Sequence, residues 1–272
     1  MSDQYAVLGH PVKHSKSPAI HALFAQQTGQ DIRYEALMPA RDGFGAFAAD
    51  LQARGFRGCN VTLPFKQEAW ALASDLSAHA RQAGAVNTLS FQPDGRIQGA
   101  NTDGVGLVRD LKRFGIVPAG LRVLLLGAGG ASRGVLQPLL EQGLVQLHIA
   151  NRTPEKAGEL ARAFAAFGPV SGGGYAALTG HFDLIINATA ASIAGDLPPL
   201  PPGILVDGGS CYDMMYGAAP TPFMQWATAH GADKVLDGLG MLVEQAAESF
   251  CIWRGVYPET NPVLETIRSS LQ

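Results

Sequence analysis

A glycine-rich turn between two apolar strands constrains the fold of this chain more than any other feature. The apolar run Val123–Leu126 predicts a buried strand, and residues 127–132 that follow it read Gly-Ala-Gly-Gly-Ala-Ser. Residues 133–142 suit a helix, and a second apolar strand is expected over 145–150. Glycine lets the backbone turn tightly and approach a pyrophosphate, while the helix N-terminus offers free N–H groups. The unit therefore predicts a dinucleotide-binding domain.

The residues after the second strand favour NADP over NAD. An NAD site usually has Asp or Glu there, whereas this chain has Arg152 with Lys156 close behind. A cation suits a 2′-phosphate. Taken alone, the glycine-rich turn has a plain loop as its alternative, and Arg152 has a solvated surface arginine. Ser132 stands where a strict G-x-G-x-x-G pattern has its third glycine. The predicted cofactor-binding residues here are Gly127, Ala128, Gly129, Gly130, Ala131, Asn151, Arg152, Thr153 and Lys156.

Composition excludes several classes of protein. With 272 residues, 47% hydrophobic and 16% charged, the chain is long enough for two globular domains. A net charge of −3 gives no reason to expect nucleic acid or an anionic membrane as partner. No apolar run reaches the roughly 18 residues of a membrane span, and the first residues lack the pattern of a signal peptide. Three cysteines form neither a C-x-x-C pair nor a zinc set, so we expect reduced thiols in the cytoplasm and no metal.

The first hundred residues alternate strands and helices, which predicts an α/β domain. A helix is expected to begin at Ser17, with Ser17 as N-cap and Pro18 in the first turn, and to end at Gly29. A second helix is expected over 42–54. The predicted strands are 5–8, 34–37 and 58–62, with a hairpin of 88–91 and 96–98.

The later part of the chain continues this alternation. A strand is expected over 183–186, and another either over 204–206 or, as we favour, over 210–214. Apolar residues at helical spacing from Leu239 to Trp253 predict a long helix.

Polar residues gather where the strands of the first domain end. Ligands of α/β sheets bind beyond strand ends, and a nicotinamide enzyme needs a proton donor and groups that hold its substrate. The candidates have ordinary alternatives: Ser17 as a helix cap, Lys66 as a solvated lysine, and Asp103-Gly104 as a turn. The polar segments are 14–17, 60–66, 87–88 and 101–104.

Taken together, these motifs resemble the shikimate dehydrogenase family in order and spacing, over the whole chain. The segments that carry the resemblance are 14–18, 60–66, 84–88, 101–104, 127–131, 151–153, 212–216 and 237–246.

The resemblance implies an α/β fold of two domains with the active site in the cleft between them. An N-terminal α/β substrate domain would span 1–102 and a doubly wound, Rossmann-type NADP-binding domain 103–237, with 238–272 as a helical segment returning to the first domain. The implied activity is reversible NADPH-dependent reduction of 3-dehydroshikimate to shikimate, on the route to chorismate and the aromatic amino acids. A quinate or dual quinate/shikimate dehydrogenase is the first alternative, and a catalytically silent NADP-binding regulator is the second. We expect a monomer or homodimer.

The resemblance also assigns roles to residues. Lys66 and Asp103 would form the catalytic pair, and which of them moves the proton is left open because their titrations are coupled. One departure from the family pattern is Ala190-Ala191-Ser192, which replaces a serine and a glycine in a loop near the cofactor. The implied substrate-binding residues are Ser15, Ser17, Thr62, Asn87, Tyr216 and Gln245. Those expected near the nicotinamide are Thr189, Met214, Gly238 and Met241.

Overall fold

The computed structural model describes residues 2–189 and 196–271. The substituted loop at Ala190–Ser192 lies outside the described residues. The chain divides into two compact units. The first comprises Met1–Gly106 and Val243–Ser270, and the second comprises Leu107–Leu242 with the last two residues. The first unit is therefore built from two stretches that are far apart in the sequence.

Within the described residues, the first unit contains a mixed sheet of six strands in the order β2-β1-β3-β5-β6-β4. β1 pairs in parallel with β2 and β3, whereas β3, β5 and β6 pair antiparallel in turn. The predicted strands and the hairpin are confirmed; the two-residue β4 was not predicted. The strands are β1 Asp3–Leu8, β2 Ile32–Leu37, β3 Phe56–Val61, β4 Asp75–Leu76, β5 Thr88–Phe91 and β6 Ile97–Ala100.

Helices follow the strands of the first unit, and the two predicted ones are confirmed. One side of the sheet buries an apolar core that includes Leu8, Leu51 and Phe65. The first helices are α1 Ser17–Thr28, α2 Phe44–Ala53, α3 Lys66–Leu72, α4 Ala78–Ala83 and α5 Asp103–Arg113.

The start of α1 corrects one expectation. The helix has Pro18 in its first turn and a left-handed Gly29 at its end, as predicted. However, Lys16 occupies the N-cap position, and the backbone N–H of Ser17 donates to Oγ of Ser15 at 3.3 Å. Ser17 as N-cap is therefore wrong. Proline is tolerated at more than one first-turn position, so the Ser-Pro pattern does not fix which residue is the cap.

An aromatic cluster packs on α1 from the C-terminal part of the chain. The ring of His21 stacks on that of Tyr34, with 4.2 Å between centroids, and Phe250 and Trp253 also contact it. His21 is fully buried, and neither ring nitrogen has a hydrogen-bond partner in the described structure. Burial lowers the pKa of His21 to about 3, against a smaller opposing effect of the Asn60 side chain. The histidine is therefore held neutral.

Within the described residues, the second unit contains a parallel sheet of six strands in the order β12-β11-β10-β7-β8-β9. The order reverses between β7 and β10, which is the doubly wound arrangement that the glycine turn predicts. Successive residues of β7 enter different apolar clusters, Leu125 one and Leu124 the other, so the sheet is buried on both faces. The strands are β7 Arg122–Leu126, β8 Gln146–Asn151, β9 Val170–Gly174, β10 Phe182–Asn187, β11 Leu205–Asp213 and β12 Lys234–Asp237.

The two alternatives for the strand after residue 200 belong to one strand. β11 pairs with β10 first at Leu205 and then from Ser210 onward, with an irregularity between them. Gly208 within this break has a φ of +72°, a conformation that favours glycine. Gly208 and Gly209 therefore lie at an irregularity within one strand and do not separate two strands.

The remaining helices complete the described structure. The predicted helix from Leu239 is confirmed. Among the described helices, none combines the length and the apolar character that a membrane crossing requires. These helices are α6 Gly130–Leu140, α7 Pro154–Phe164, α8 Pro222–Ala229, α9 Leu239–Arg254 and α10 Asn261–Ser269.

Candidate functional site

A buried ion pair lies at the centre of the polar residues of the first unit. Nζ of Lys66 is 2.6 Å from Oδ2 of Asp103, and their side chains are 21% and 9% exposed. Each is the first residue of a helix, Lys66 of α3 and Asp103 of α5. The side chain of Asn101 accepts from the N–H of Asp103 at 3.1 Å, which fixes that helix start. The Asp103-Gly104 dipeptide thus opens a helix and is not the turn that we considered.

Asn87 connects this ion pair to helix α9. Its Nδ2 is 2.8 Å from Oδ1 of Asp103 and 3.1 Å from Oε1 of Gln245. The Asp103 carboxylate therefore has a donor on each oxygen, Lys66 on one and Asn87 on the other. Such a carboxylate is held in a single orientation.

Strand pairing brings the start of the loop after β1 beside Thr62. The N–H of Thr62 donates to the carbonyl of Leu8 at 2.8 Å, so the ends of β1 and β3 are adjacent. A Cβ added to Gly9 would lie 2.4 Å from the methyl group of Thr62, which shows how closely the two loops approach. Ser15 lies further along that loop, and Ser17, whose N–H donates to Oγ of Ser15, is the first residue of α1.

Four buried polar side chains behind Asn87 were not predicted as site residues. Ser249 lies one turn beyond Gln245 on α9, and its Oγ contacts the other three side chains. It is 2.7 Å from Oγ1 of Thr88 and 3.3 Å from Oγ1 of Thr102, and it accepts from Nδ2 of Asn60 at 3.0 Å. Helical spacing from Gln245 is the signal that could have indicated Ser249. Asn60 and Thr102 belong to the polar segments 60–66 and 101–104, but neither residue was predicted to have a role in the site. The four residues are Asn60, Thr88, Thr102 and Ser249, all 8% exposed or less.

The glycine turn of the second unit suits a pyrophosphate. Gly127 has a φ of +101°, and Gly129 and Gly130 are exposed, with open space where a Cβ would lie. No side chain caps α6 at its N-cap Gly129, so its first N–H groups are available to an anion. The buried hydroxyl of Ser132 donates to the carbonyl of Gly127 at 2.7 Å. Serine at this position therefore stabilises the turn from within.

Two exposed cations follow β8, as predicted. Arg152 and Lys156 are both exposed, and among the described residues neither forms an ion pair. The side-chain amide of Asn151 donates to the carbonyl of Thr153 at 2.9 Å, which shapes the turn that carries Arg152. These residues can hold a phosphate group.

Thr189 is positioned by a buried asparagine at the end of β10. Oδ1 of Asn187 accepts from the N–H and the hydroxyl of Thr189, at 3.2 and 2.7 Å. Nδ2 of Asn187 donates in turn to Asp213 at 3.2 Å. The methyl group of Thr189 would be 3.1 Å from a Cβ on Gly127, so Thr189 lies against the glycine turn.

The other residues expected near the nicotinamide also belong to the second unit. A Cβ on Gly238 would lie 2.2 Å from the carbonyl oxygen of Met214, so only glycine fits there. Met241 is 8% exposed and packs in the apolar core. Tyr216, expected to bind substrate, is half-buried in this unit, and burial together with the negative charge of Asp237 raises its pKa.

Comparison with known proteins identifies the family. Residues 7–89 match the model of the shikimate dehydrogenase substrate binding domain, and residues 112–194 that of shikimate / quinate 5-dehydrogenase. Residues 238–268 match the shikimate 5′-dehydrogenase C-terminal domain. The shikimate dehydrogenase (NADP(+)) of Thioalkalivibrio sulfidiphilus is 57% identical over 268 residues, which are 98% of each chain. The chain belongs to the shikimate dehydrogenase family.

Solved structures agree with this membership. The shikimate 5-dehydrogenase of Thermus thermophilus, solved with NADP(H) and shikimate, is 35% identical, has a TM-score of 0.86 and matches over 99% of this chain and 100% of its own. An Ael1 enzyme from Pseudomonas putida is 45% identical, with a TM-score of 0.90 over 97% of this chain and 98% of its own. The structural match to these two enzymes therefore extends over nearly the whole of each chain.

Proposed function

We propose that this protein catalyses the reversible NADPH-dependent reduction of 3-dehydroshikimate to shikimate, a step toward chorismate and the aromatic amino acids. The observation that carries the proposal is the buried pair of Lys66 and Asp103, because reduction of a ketone needs a proton donor of this kind and a silent regulator does not. Relatives that are 57% identical are named shikimate dehydrogenase (NADP(+)). These names do not favour the quinate alternative.

The residues of the second unit fit NADP. The uncapped start of α6 and the open space beside Gly129 and Gly130 leave room for a pyrophosphate. Arg152 and Lys156 would hold the 2′-phosphate, assisted by the turn of Asn151 and Thr153. Thr189, Met214, Gly238 and Met241 are proposed to lie near the nicotinamide. NADPH, when bound, supplies the hydride for the ketone carbon.

Lys66 is proposed to act on the ketone oxygen. Negative charge grows on that oxygen during reduction, and the ammonium group of Lys66 stabilises it and can donate the proton. Asp103 accepts from Nζ of Lys66 and so directs the ammonium group. Because the two groups are in direct contact, we propose that they act as a unit.

The remaining polar groups of the first unit are proposed to hold the substrate. The hydroxyls of Ser15 and Ser17 would donate to the carboxylate: Oγ of Ser15 accepts from the N–H of Ser17 and so keeps its own proton for a ligand, and Ser17 is not the N-cap of α1. Thr62, Asn87 and Gln245 would bind the ring hydroxyls, and Tyr216 of the second unit would also contact the substrate.

A cofactor-and-substrate matrix tests the proposal. Purified protein is assayed by the absorbance of NADPH with shikimate or quinate, each with NADP+ or NAD+. We expect the highest kcat/KM for shikimate with NADP+. A preference for quinate would support the alternative, and no turnover in any arm would refute an enzymatic function.

The protein is further proposed to act in the cytoplasm as a monomer or homodimer. All three cysteines are free, two of them buried, as is usual in a reducing compartment. Light scattering on the purified protein measures its mass in solution and separates the two assembly states.

A further inference from the structure

The side-chain amide of Asn87 has partners at both ends, and they determine which end faces Asp103. Its Oδ1 accepts from the hydroxyl of Thr88 at 2.9 Å and from the N–H of Thr102 at 3.0 Å. Its Nδ2 donates to Asp103 at 2.8 Å. If the amide were reversed, its oxygen would face the carboxylate, and two acceptors would be in contact without a proton between them.

Thr88 is held rigidly enough to direct this amide. It is 1% exposed and begins β5, where it pairs with Asn60 of β3 on one side and Ala100 of β6 on the other. A threonine hydroxyl has one proton to donate and two lone pairs.

The neighbours of Thr88 leave that proton for Asn87. Oδ1 of Asn60 accepts from the hydroxyl of Tyr34 at 2.7 Å, so the nitrogen of the Asn60 amide points the other way. That nitrogen donates to Oγ1 of Thr88 at 3.2 Å. Oγ of Ser249 also lies 2.7 Å from Oγ1 of Thr88, and either hydroxyl can donate in that contact. With Asn60 and Ser249 as donors, both lone pairs of the Thr88 oxygen are occupied, and its own proton is directed to Oδ1 of Asn87 at 2.9 Å.

We propose that Thr88 is a positioning residue for the reaction: its hydroxyl holds the Asn87 amide with the nitrogen toward Asp103, and so holds the Asp103 carboxylate in its pair with Lys66. Thr88 touches neither partner of that pair directly and acts through Asn87. The inference rests on the proposed function of Lys66 and Asp103.

A double-mutant cycle tests the inference. Thr88→Val removes the hydroxyl at nearly constant shape, Thr88→Ser keeps it, and Asn87→Ala removes the group through which it acts. We expect Thr88→Val to lower kcat/KM for shikimate about tenfold, the scale of one lost buried hydrogen bond, and Thr88→Ser to restore most of it. In the Asn87→Ala background, Thr88→Val should cost less than about twofold. Thr28→Val, which removes a hydroxyl bonded to the Phe24 carbonyl in the same unit, is the matched control and should retain kcat/KM.

Several results would overturn the inference. Unchanged kcat/KM in Thr88→Val would do so, as would losses that multiply in the double variant, since the two side chains would then act independently. If Thr88→Val does not fold, Thr88→Ala against Thr88→Ser repeats the comparison with smaller side chains.

A second measurement does not depend on turnover. The side-chain amide protons of Asn87, followed by NMR, should exchange slowly with solvent in the wild type and in Thr88→Ser and faster in Thr88→Val. An inactive wild type would refute the proposed function, whereas equal exchange in all three proteins would refute the role of Thr88.

Discussion

Nζ of Lys66 lies 2.6 Å from Oδ2 of Asp103, although the two residues are separated by 37 positions in the sequence. Lys66 begins α3, the helix after β3, and Asp103 begins α5, the helix after β6. The cofactor residues belong to the second unit. Changes at this pair can therefore separate chemistry from cofactor binding.

Lys66→Ala should lower kcat by about a hundredfold or more, the usual scale of lost acid–base catalysis. Binding of NADP+, measured by fluorescence or calorimetry, should be nearly unchanged. Lys66→Arg should restore kcat only in part, because guanidinium is a poor proton donor near neutral pH and differs in reach.

Asp103→Asn should also lower kcat, and the double variant Lys66→Ala/Asp103→Asn should lose less than the product of the two single losses. Independent effects in steady-state kinetics would argue against a pair, and a fully active Lys66→Ala would remove Lys66 from the mechanism.

Arg152→Ala should raise KM for NADP+ roughly tenfold or more, the scale of a charge-assisted hydrogen bond, and change KM for NAD+ much less. The reason is that Arg152 is exposed and faces no carboxylate among the described residues, so its charge is available to a phosphate. Arg162→Ala, on helix α7 that follows Arg152 in the chain and also exposed, is the control that should leave both constants unchanged. Equal effects of Arg152→Ala on both cofactors would contradict a role in 2′-phosphate recognition.

Ser17→Ala should raise KM for shikimate without the loss of stability that removal of a helix cap causes. The Ser17 hydroxyl makes no capping bond in α1. The matched control is Ser77→Ala, because the Ser77 side chain does accept from the N–H of Ala80 and caps α4. That variant should lose about 1 kcal/mol of stability at unchanged KM. If Ser17→Ala melts earlier and binds shikimate normally, the hydroxyl is structural.

The buried His21 predicts a dependence of stability on pH. Its folded pKa of about 3 is below the unfolded value of about 6.5, so the folded state favours the neutral ring. The stabilisation is complete above about pH 6.5 and is lost as the pH falls toward 3, by about 1.4 kcal/mol per pH unit. His21→Phe keeps the ring stack on Tyr34 but cannot bind a proton.

Urea unfolding at about pH 7.5 and about pH 5 measures this dependence. The free energy of unfolding should fall more steeply in the wild type than in His21→Phe. His14→Gln, at an exposed histidine of the same unit, is the control and should retain the wild-type slope. Equal slopes in the wild type and His21→Phe would mean that His21 is not held neutral in the fold.

The sequence predicted the residues whose chemistry is local and missed those that depend on packing. The glycine turn and the strand before it are adjacent in the chain, so their pattern is visible without a structure. Tyr34 and Ser249 come from distant elements: Tyr34 reaches Asn60 from another strand of the first sheet, and Ser249 reaches it because α9 packs on that sheet. The N-cap of α1 was misplaced by one residue because proline fits two positions of a first turn. β4 has two residues and no periodicity to detect.

The discontinuity of the first unit has a consequence for synthesis on the ribosome. Domains generally fold as their residues emerge, beginning at the N-terminus. Here the N-terminal residues emerge first, but Val243–Ser270, which complete their unit, emerge only after the whole of Leu107–Leu242. Synthesis of the second unit is therefore nearly complete before synthesis of the first unit is. Gln245 and Ser249, which close the polar network around Asn87, emerge only after Leu242. A nascent chain that stalls before Val243 holds Lys66 and Asp103 but lacks the part of α9 that carries these two side chains.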